Sequence, residues 1–197
     1  MNTPSHFLMT AALRRALPQW RIPRPAVFIG SVAPDIPLYL LTAGALVYFT
    51  QVEGWSTADA TRHIFGTLYF DDMGWMAAHS ALHSPVVLVA ALAAMRTAAA
   101  RKWTKAANWL SWFFATCLLH AIVDIATHYD DGPLVFWPLD WTVRFYSPIS
   151  YWDPSHLGRQ FTVFEIFFDG VCIAYLGAPW LWRRFRGDRN SKIQGTQ

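Results

Sequence analysis

The sequence predicts an all-α fold, a compact multi-helix membrane bundle with a metal site near one end. Three observations predict it. Hydrophobic residues make up 54% of the 197-residue chain and charged residues only 15%, against about 25% in an ordinary soluble domain. Aromatics reach 16%, with 11 Trp, the residue type enriched at membrane interfaces. The polar residues inside the apolar stretches are mostly His and Asp at helical spacing. This composition excludes intrinsic disorder, which requires low hydrophobicity and high charge. It also argues against an ordinary soluble enzyme. One domain is the natural reading for this length. It covers 1–189, with 190–197 as a disordered tail.

The elements follow in order. Pro4 to Leu17 reads as a first short helix, capped by Thr3 or Ser5. PQWRIPRP, with Pro18, Pro23 and Pro25, is a turn. The apolar run that follows is long enough to span, but Pro34 and Pro37 break it around Asp35. Gln51 to His83 is a polar region. SPVVLVAALAAMRTAAA is a helix with Pro85 at its start. NWLSWFFATCLLHAIVDIATH is a helix of about twenty residues, enough to cross a bilayer. Tyr129 to Arg159 is an aromatic-rich loop, and a last helix runs from about Phe161 to Trp182. About five helices result, three or four of them in the membrane. Cys117 and Cys172 sit in apolar stretches without a CxxC, which excludes a zinc ribbon or disulfide scaffold and makes them buried small hydrophobes.

Basic residues fall in three clusters: Arg14, Arg15, Arg21 and Arg24; Arg96, Arg101, Lys102 and Lys105; Arg183, Arg184, Arg186 and Arg189. Each ends a hydrophobic stretch, so together they read as positive-inside signals. The protein is then expected in a bacterial inner (plasma) membrane, multi-pass, with a cytoplasmic C-terminus. At 1.5 Å per helical residue, His6 and Asp35 lie roughly 12–16 Å from the first cluster. His120, Asp124 and His128 lie roughly 22–35 Å from Lys105, and Glu165 and Asp169 roughly 20–27 Å from Arg183. His79 and His83 precede the third helix at the end opposite Arg96. The candidate ligands therefore gather at the non-cytoplasmic end.

The sharpest motif is HAIVDIATH, with His120, Asp124 and His128 at successive four-residue steps. Each step drifts only some 40° around a helix, so the three share a face. Imidazole nitrogen and carboxylate oxygen are ligands for zinc and related ions. In an otherwise apolar segment unpaired ionisable groups are costly, which favours metal binding over a solvated face. HSALHS supplies His79 and His83, and which of them is a ligand stays open. Asp35, between two prolines in an apolar run, needs a partner, or caps the helix after the break. His6 is a further candidate. Glu165 is read as a ligand. Asp169 is left between ligand, partner of a metal-bound His, and ion pair with Arg144 or Arg159. His63, Asp71, Asp72, Asp130, Asp131 and His156 read as solvated loop residues. FWPLDWTVRFYSPISYW reads as an interfacial belt or a lipid-facing lip over the site. No GxSxG, GxxxxGK[ST], GxGxxG or other nucleophile motif is present, and no nucleic-acid-binding pattern is expected.

PSHFLMTAAL, GSVAPDIP, HSALHSP, HAIVDIATHYDDG and FWPLDWTVRFYSPISYWD, from about Ser5 to Asp169, together resemble the bacterial membrane-bound metal-dependent hydrolase family (DUF457). The order of these motifs is also similar to zinc-dependent phospholipase C, an all-helical phosphoesterase. Through this resemblance His6, Asp35, His79 or His83, His120, Asp124 and His128 match metal-ligand positions. Two departures stand out. Phospholipase C uses a processed N-terminal amine, whereas here Met1–Ser5 precede the first candidate. Its late HxxxE pair is replaced by Glu165 and Asp169 without a His. A site for one or two divalent ions, zinc by type, is therefore expected rather than three.

The expected function is a hydrolase acting on a phosphoester such as a membrane lipid. In it Asp35 and Asp124 are the catalytic residues, and Asp35 orients or deprotonates the attacking water. A non-catalytic membrane protein with a structural His/Asp cluster is the alternative, and an ion or proton transporter a third class.

Overall fold

The computed structural model describes residues 1–100 and 104–194. The described residues are almost all helical, and their only β pairing is an isolated bridge between Leu134 and Arg144. Helix α1 (Thr3–Ala16) begins with Pro4 in its first turn and ends on Arg14 and Arg15, a favourable placement for cations at a helix C-terminus. Helix α2 (Arg24–Gly30) follows a short 3₁₀ turn at Pro18–Trp20.

The long apolar stretch does not form one span. It is split at Ser31–Asp35 into α2 and α3 (Ile36–Val47), which runs on into a π-helical turn at Tyr48–Val52. Pro34 and Pro37 remove two amide donors there, so the continuous hydrogen-bond ladder of a spanning helix cannot form. The break leaves the Asp35 carboxylate at the end of α3, turned into the bundle.

The region from Gln51 to His83 holds α4 (Thr57–His63), a π-helical turn (Ile64–Leu68), α5 (Tyr69–Asp71) and α6 (Met73–Ser80). Side-chain caps start two of these helices. Ser56 accepts a hydrogen bond from the Asp59 amide, and Asp72 accepts from the amides of Gly74 and Trp75. Helices α7 (Pro85–Ala100) and α8 (Thr104–Thr127) form a hairpin around Leu88, Cys117 and Ala121, all fully buried. The loop from Tyr129 then folds back over the end of α8. The Tyr151 amide donates to the Thr127 carbonyl at 2.8 Å, and Ser147 Oγ to Ala126 at 2.7 Å. Helix α9 (Gly158–Gln194) continues into the stretch expected to be a disordered tail, and 195–197 lie outside the described residues.

Among the described residues, two helices are long and apolar enough to cross a membrane, Lys105–Thr127 and Gly158–Trp180. A third span results if Met73–Ser80 and Pro85–Ala98, bent by 45°, act as one. With that third span the number reaches the lower end of the three or four expected, and the broken stretch around Asp35 adds none. Only 11% of Gly158–Trp180 is buried within the molecule. Val163, Ile166, Phe167 and Ile173 are left exposed, an arrangement that lipid stabilises and water does not.

Contacts between elements fix which ends meet. Asn2 bonds Glu165, Ser5 bonds Asp169 and Arg15 bonds the Tyr175 carbonyl, so α1 and α9 run parallel. Trp20 packs on Trp112, while Ser31 meets His120. The His and Asp residues thus collect at the C-terminal end of α8, opposite Arg14 and Arg15. Within the second basic cluster, Arg101 and Lys102 lie outside the described residues.

Candidate metal centre

Four side chains from three parts of the chain converge: Asp35 from the proline break, His83 from the bend between α6 and α7, and His120 and Asp124 from α8. One donor atom from each lies within 4.8 Å of every other. His83 Nε2 is 3.5 Å from Asp35 Oδ1 and 3.6 Å from Asp124 Oδ2. His120 Nε2 is 3.3 Å and 2.9 Å from the same two oxygens. Zinc bonds of about 2.0–2.1 Å in a tetrahedron place neighbouring donors roughly 3.3 Å apart. The four separations scatter around that edge length.

The hydrogen bonds on the far side of each ring decide what the near side offers. His83 Nδ1 bonds the His79 carbonyl at 2.9 Å, and His120 Nδ1 bonds the Ser31 carbonyl at 2.9 Å. A carbonyl only accepts, so both Nδ1 atoms are protonated and, in the neutral imidazole, both Nε2 atoms carry a bare lone pair. Those lone pairs face carboxylate oxygens, which also only accept. Each such contact requires a cation between the partners, either a proton or a metal ion. His120 Nε2 is fully buried and makes no hydrogen bond of acceptable geometry. Orientation of a ligating imidazole by a backbone carbonyl on its other nitrogen is the usual second layer of a metal site. The donor set therefore fits a divalent ion.

Asp124 is the hub. Its Oδ2 faces His83 and His120, while its Oδ1 accepts from the Met1 amine at 3.0 Å and contacts His6 Nε2 at 2.8 Å. His6 lies flat on His120, with ring centroids 3.7 Å apart, and its Nδ1 is buried without a partner. Burial lowers the pKa of His6 against the pull of Asp124. Burial alone would raise that of Asp35, but the adjacent His120 and His83 imidazoles outweigh it and hold the carboxyl well below the ordinary carboxylate range. Asp35 Oδ2 accepts from Thr3 Oγ1, which also meets Tyr39 Oη at 2.5 Å.

The remaining candidates lie around this core. His79 stacks on His83 at 4.2 Å between centroids. His128 turns Nδ1 back onto the Asp124 carbonyl at 2.8 Å and packs on Tyr151. Its pKa is lowered, chiefly by burial. Both His79 and His128 line a cavity of about 510 Å³ that reaches Asp35 and Asp124. Glu165 is engaged elsewhere: its two oxygens accept from the backbone and side-chain nitrogens of Asn2 at 2.7 and 2.6 Å. Asp169 accepts from Ser5 Oγ at 2.8 Å.

The cavity walls are largely aromatic, from Tyr39, Phe65, Tyr69, Phe70, Tyr151 and Trp152, with Asp130 and Asp131 at the loop side. Met1, Asn2, Thr3, Tyr39 and Tyr69 are contributors that sequence reasoning did not select, whereas Tyr151 and Trp152 belong to the aromatic run read as a belt or a lip over the site. Nothing in the local pattern marks the former, because each enters the site through tertiary contact rather than helical spacing.

Comparison with known families places the chain. It belongs to the YdjM inner membrane protein family, whose model matches residues 1–185. This is the membrane-protein family that the sequence resemblance pointed to, and the match carries no hydrolase or phospholipase C evidence. No match was found among curated proteins or among solved structures.

Proposed function

We propose that this member of the YdjM inner membrane protein family is a metal-dependent hydrolase acting on a phosphoester, with a membrane lipid as substrate. The observation that carries the proposal is a cation-requiring cluster placed against an aromatic-lined cavity. Asp35, His83, His120 and Asp124 would hold the first divalent ion, zinc by the chemistry of the donors. His79 and His128, on the cavity wall, are the residues at hand for a second. A divalent ion held there supplies Lewis acidity and lowers the pKa of water.

The chain's own groups do the rest. Asp35 lines the cavity, with its side chain 17% exposed against 1% for His83 and His120, and it orients or deprotonates the attacking water. The Thr3 hydroxyl fixes the rotation of that carboxylate. Asp124 holds the imidazoles of His120 and His6 in register. The positive-inside distribution of Arg and Lys supports a cytoplasmic C-terminus with the site on the other side.

One observation favours a second reading. Four protein donors are the number a closed tetrahedral site needs, and three of the four residues are buried, as in a structural site without an open position. Metal analysis of the purified protein, paired with phosphodiesterase and lipid-hydrolysis assays on wild type and Asp35→Asn, separates the two. Metal-dependent activity lost in the variant supports the hydrolase. Stoichiometric metal without hydrolysis of any ester supports the structural role.

A further inference from the structure

Beside the metal cavity runs a second concavity of opposite character. Its walls are Thr3, Pro4, Phe7, Leu8, Val32 and Tyr39. No charged side chain lines it, and its only side-chain hydroxyls belong to Thr3 and Tyr39. Those two residues also line the metal cavity. The groove and the cavity therefore meet at the Thr3–Tyr39 hydroxyl pair, and the same Thr3 hydroxyl bonds Asp35 of the metal cluster.

The axis of this two-part space agrees with the axis of the bundle. The cavity is lined on one side by Asp130, Asp131 and Trp152 in the loop beyond α8. The groove lies the other way. Val32 follows Ser31, whose carbonyl bonds His120. His120 sits seven residues, or about 10 Å, inside the end of the span at Thr127. Phe7 and Leu8 lie one turn further along α1 from Thr3, and Phe7 packs on Phe28 at 4.9 Å. Polarity thus falls from the loop side toward the apolar depth of the bundle.

We propose that the groove is the binding site for the alkyl chain of an amphiphile whose polar group occupies the metal cavity, with Thr3 and Tyr39 at the junction between the two. An uncharged, apolar-walled groove that shares Thr3 and Tyr39 with a polar cavity favours a hydrocarbon chain. Each methylene it buries contributes about 0.8 kcal/mol. The inference rests on the hydrolytic reading only for the identity of the polar group.

The test uses the full chain in lipid nanodiscs and a dodecyl phosphate carrying a diazirine at the end of its chain. After photolysis, peptide mass mapping locates the label. The expected result is saturable labelling of the peptides carrying Pro4–Leu8 and Val32, displaced by unlabelled dodecyl phosphate and not by inorganic phosphate. Leu8→Trp fills the groove and should cut that labelling about tenfold, the equivalent of losing about two buried methylenes, with metal content unchanged. Val32→Phe serves the same purpose should the first variant fail to fold. Labelling confined to the exposed face of α9, or groove labelling indifferent to the competitor and to both variants, overturns the site. Saturable groove labelling without turnover of any phosphoester refutes the hydrolytic reading and leaves the alkyl site standing. Turnover without groove labelling does the reverse.

Discussion

Asp124 makes more polar contacts within the cluster than any other residue, and the consequences of its burial are the most direct to measure. One oxygen serves the Met1 amine and His6, and the other faces His83 and His120. Truncation leaves a buried ammonium and buried imidazoles without their counter-charge, and breaking a buried pair in this way costs about 3–5 kcal/mol. Asp124→Ala should therefore unfold at markedly lower denaturant than wild type in the same detergent. A loss below about 1 kcal/mol would show that the network is not under electrostatic load. Asp35 predicts a pH dependence. Its folded-state pKa lies below the ordinary value near ~3.9, so the ionised form stabilises the fold above that pH. This contribution is lost as the pH falls through the depressed folded value. Metal-free wild type should lose stability on acidification below about pH 4, and Asp35→Asn should lose less. Chemical unfolding at a series of acidic pH values reads the difference. The spacing of His120 and Asp124 was legible from helical periodicity alone. The division of labour was not: His128, on the same face, packs on Tyr151 at the cavity wall and is not one of the four clustered donors. Which His joins the cluster is set by tertiary packing, which spacing does not encode.

At the scale of elements, close packing of α2 on α8 sets the height of the cluster. A Cβ on Gly30 would sit 2.6 Å from the Phe113 carbonyl oxygen and 3.1 Å from Thr116. Gly30→Ala should push the two helices apart and cost about 1–3 kcal/mol. It should also weaken metal binding, because the Ser31 carbonyl that orients His120 moves with α2. Thermal unfolding together with a metal titration checks both, and an Ala variant as stable as wild type would mean the approach is not constrained. The helices between Gln51 and His83 were missed at the sequence level, although their start signals were present. Ser56 stands three residues before Asp59, and Asp72 caps α6 through two amides. Both signals sit in a polar segment without an apolar run to draw attention to them. Asp72→Ala should cost about 1 kcal/mol, the usual value of a side-chain cap, measured by the unfolding midpoint. The prolines around Asp35 were legible as a break. What the break achieves appears only in the folded chain, where it turns a carboxylate toward two imidazoles.

For the whole molecule, composition indicated a membrane bundle, and the exposed apolar face of Gly158–Trp180 together with the family assignment supports it. The apolar run around Asp35 does not form one helix long enough to cross, because its break positions Asp35. The sorting of His and Asp to one end of the bundle was visible in the sequence as distance along each helix from a basic cluster. The cavity was not visible, since its aromatic walls come from α3, the π-turn before α5, α5 itself and the loop after α8. A cation bound only by the folded state stabilises it by mass action. A chelator should therefore lower the thermal midpoint, and added zinc should restore it.

The central claim is that Asp35, His83, His120 and Asp124 form a site that holds a divalent cation. Elemental analysis of the purified protein, beside His120→Ala and Asp124→Ala prepared identically, tests it directly. The account predicts one or two equivalents of a divalent transition metal in wild type and loss of the ion from both variants. Wild-type protein without stoichiometric metal, or variants that retain it unchanged, would contradict the account.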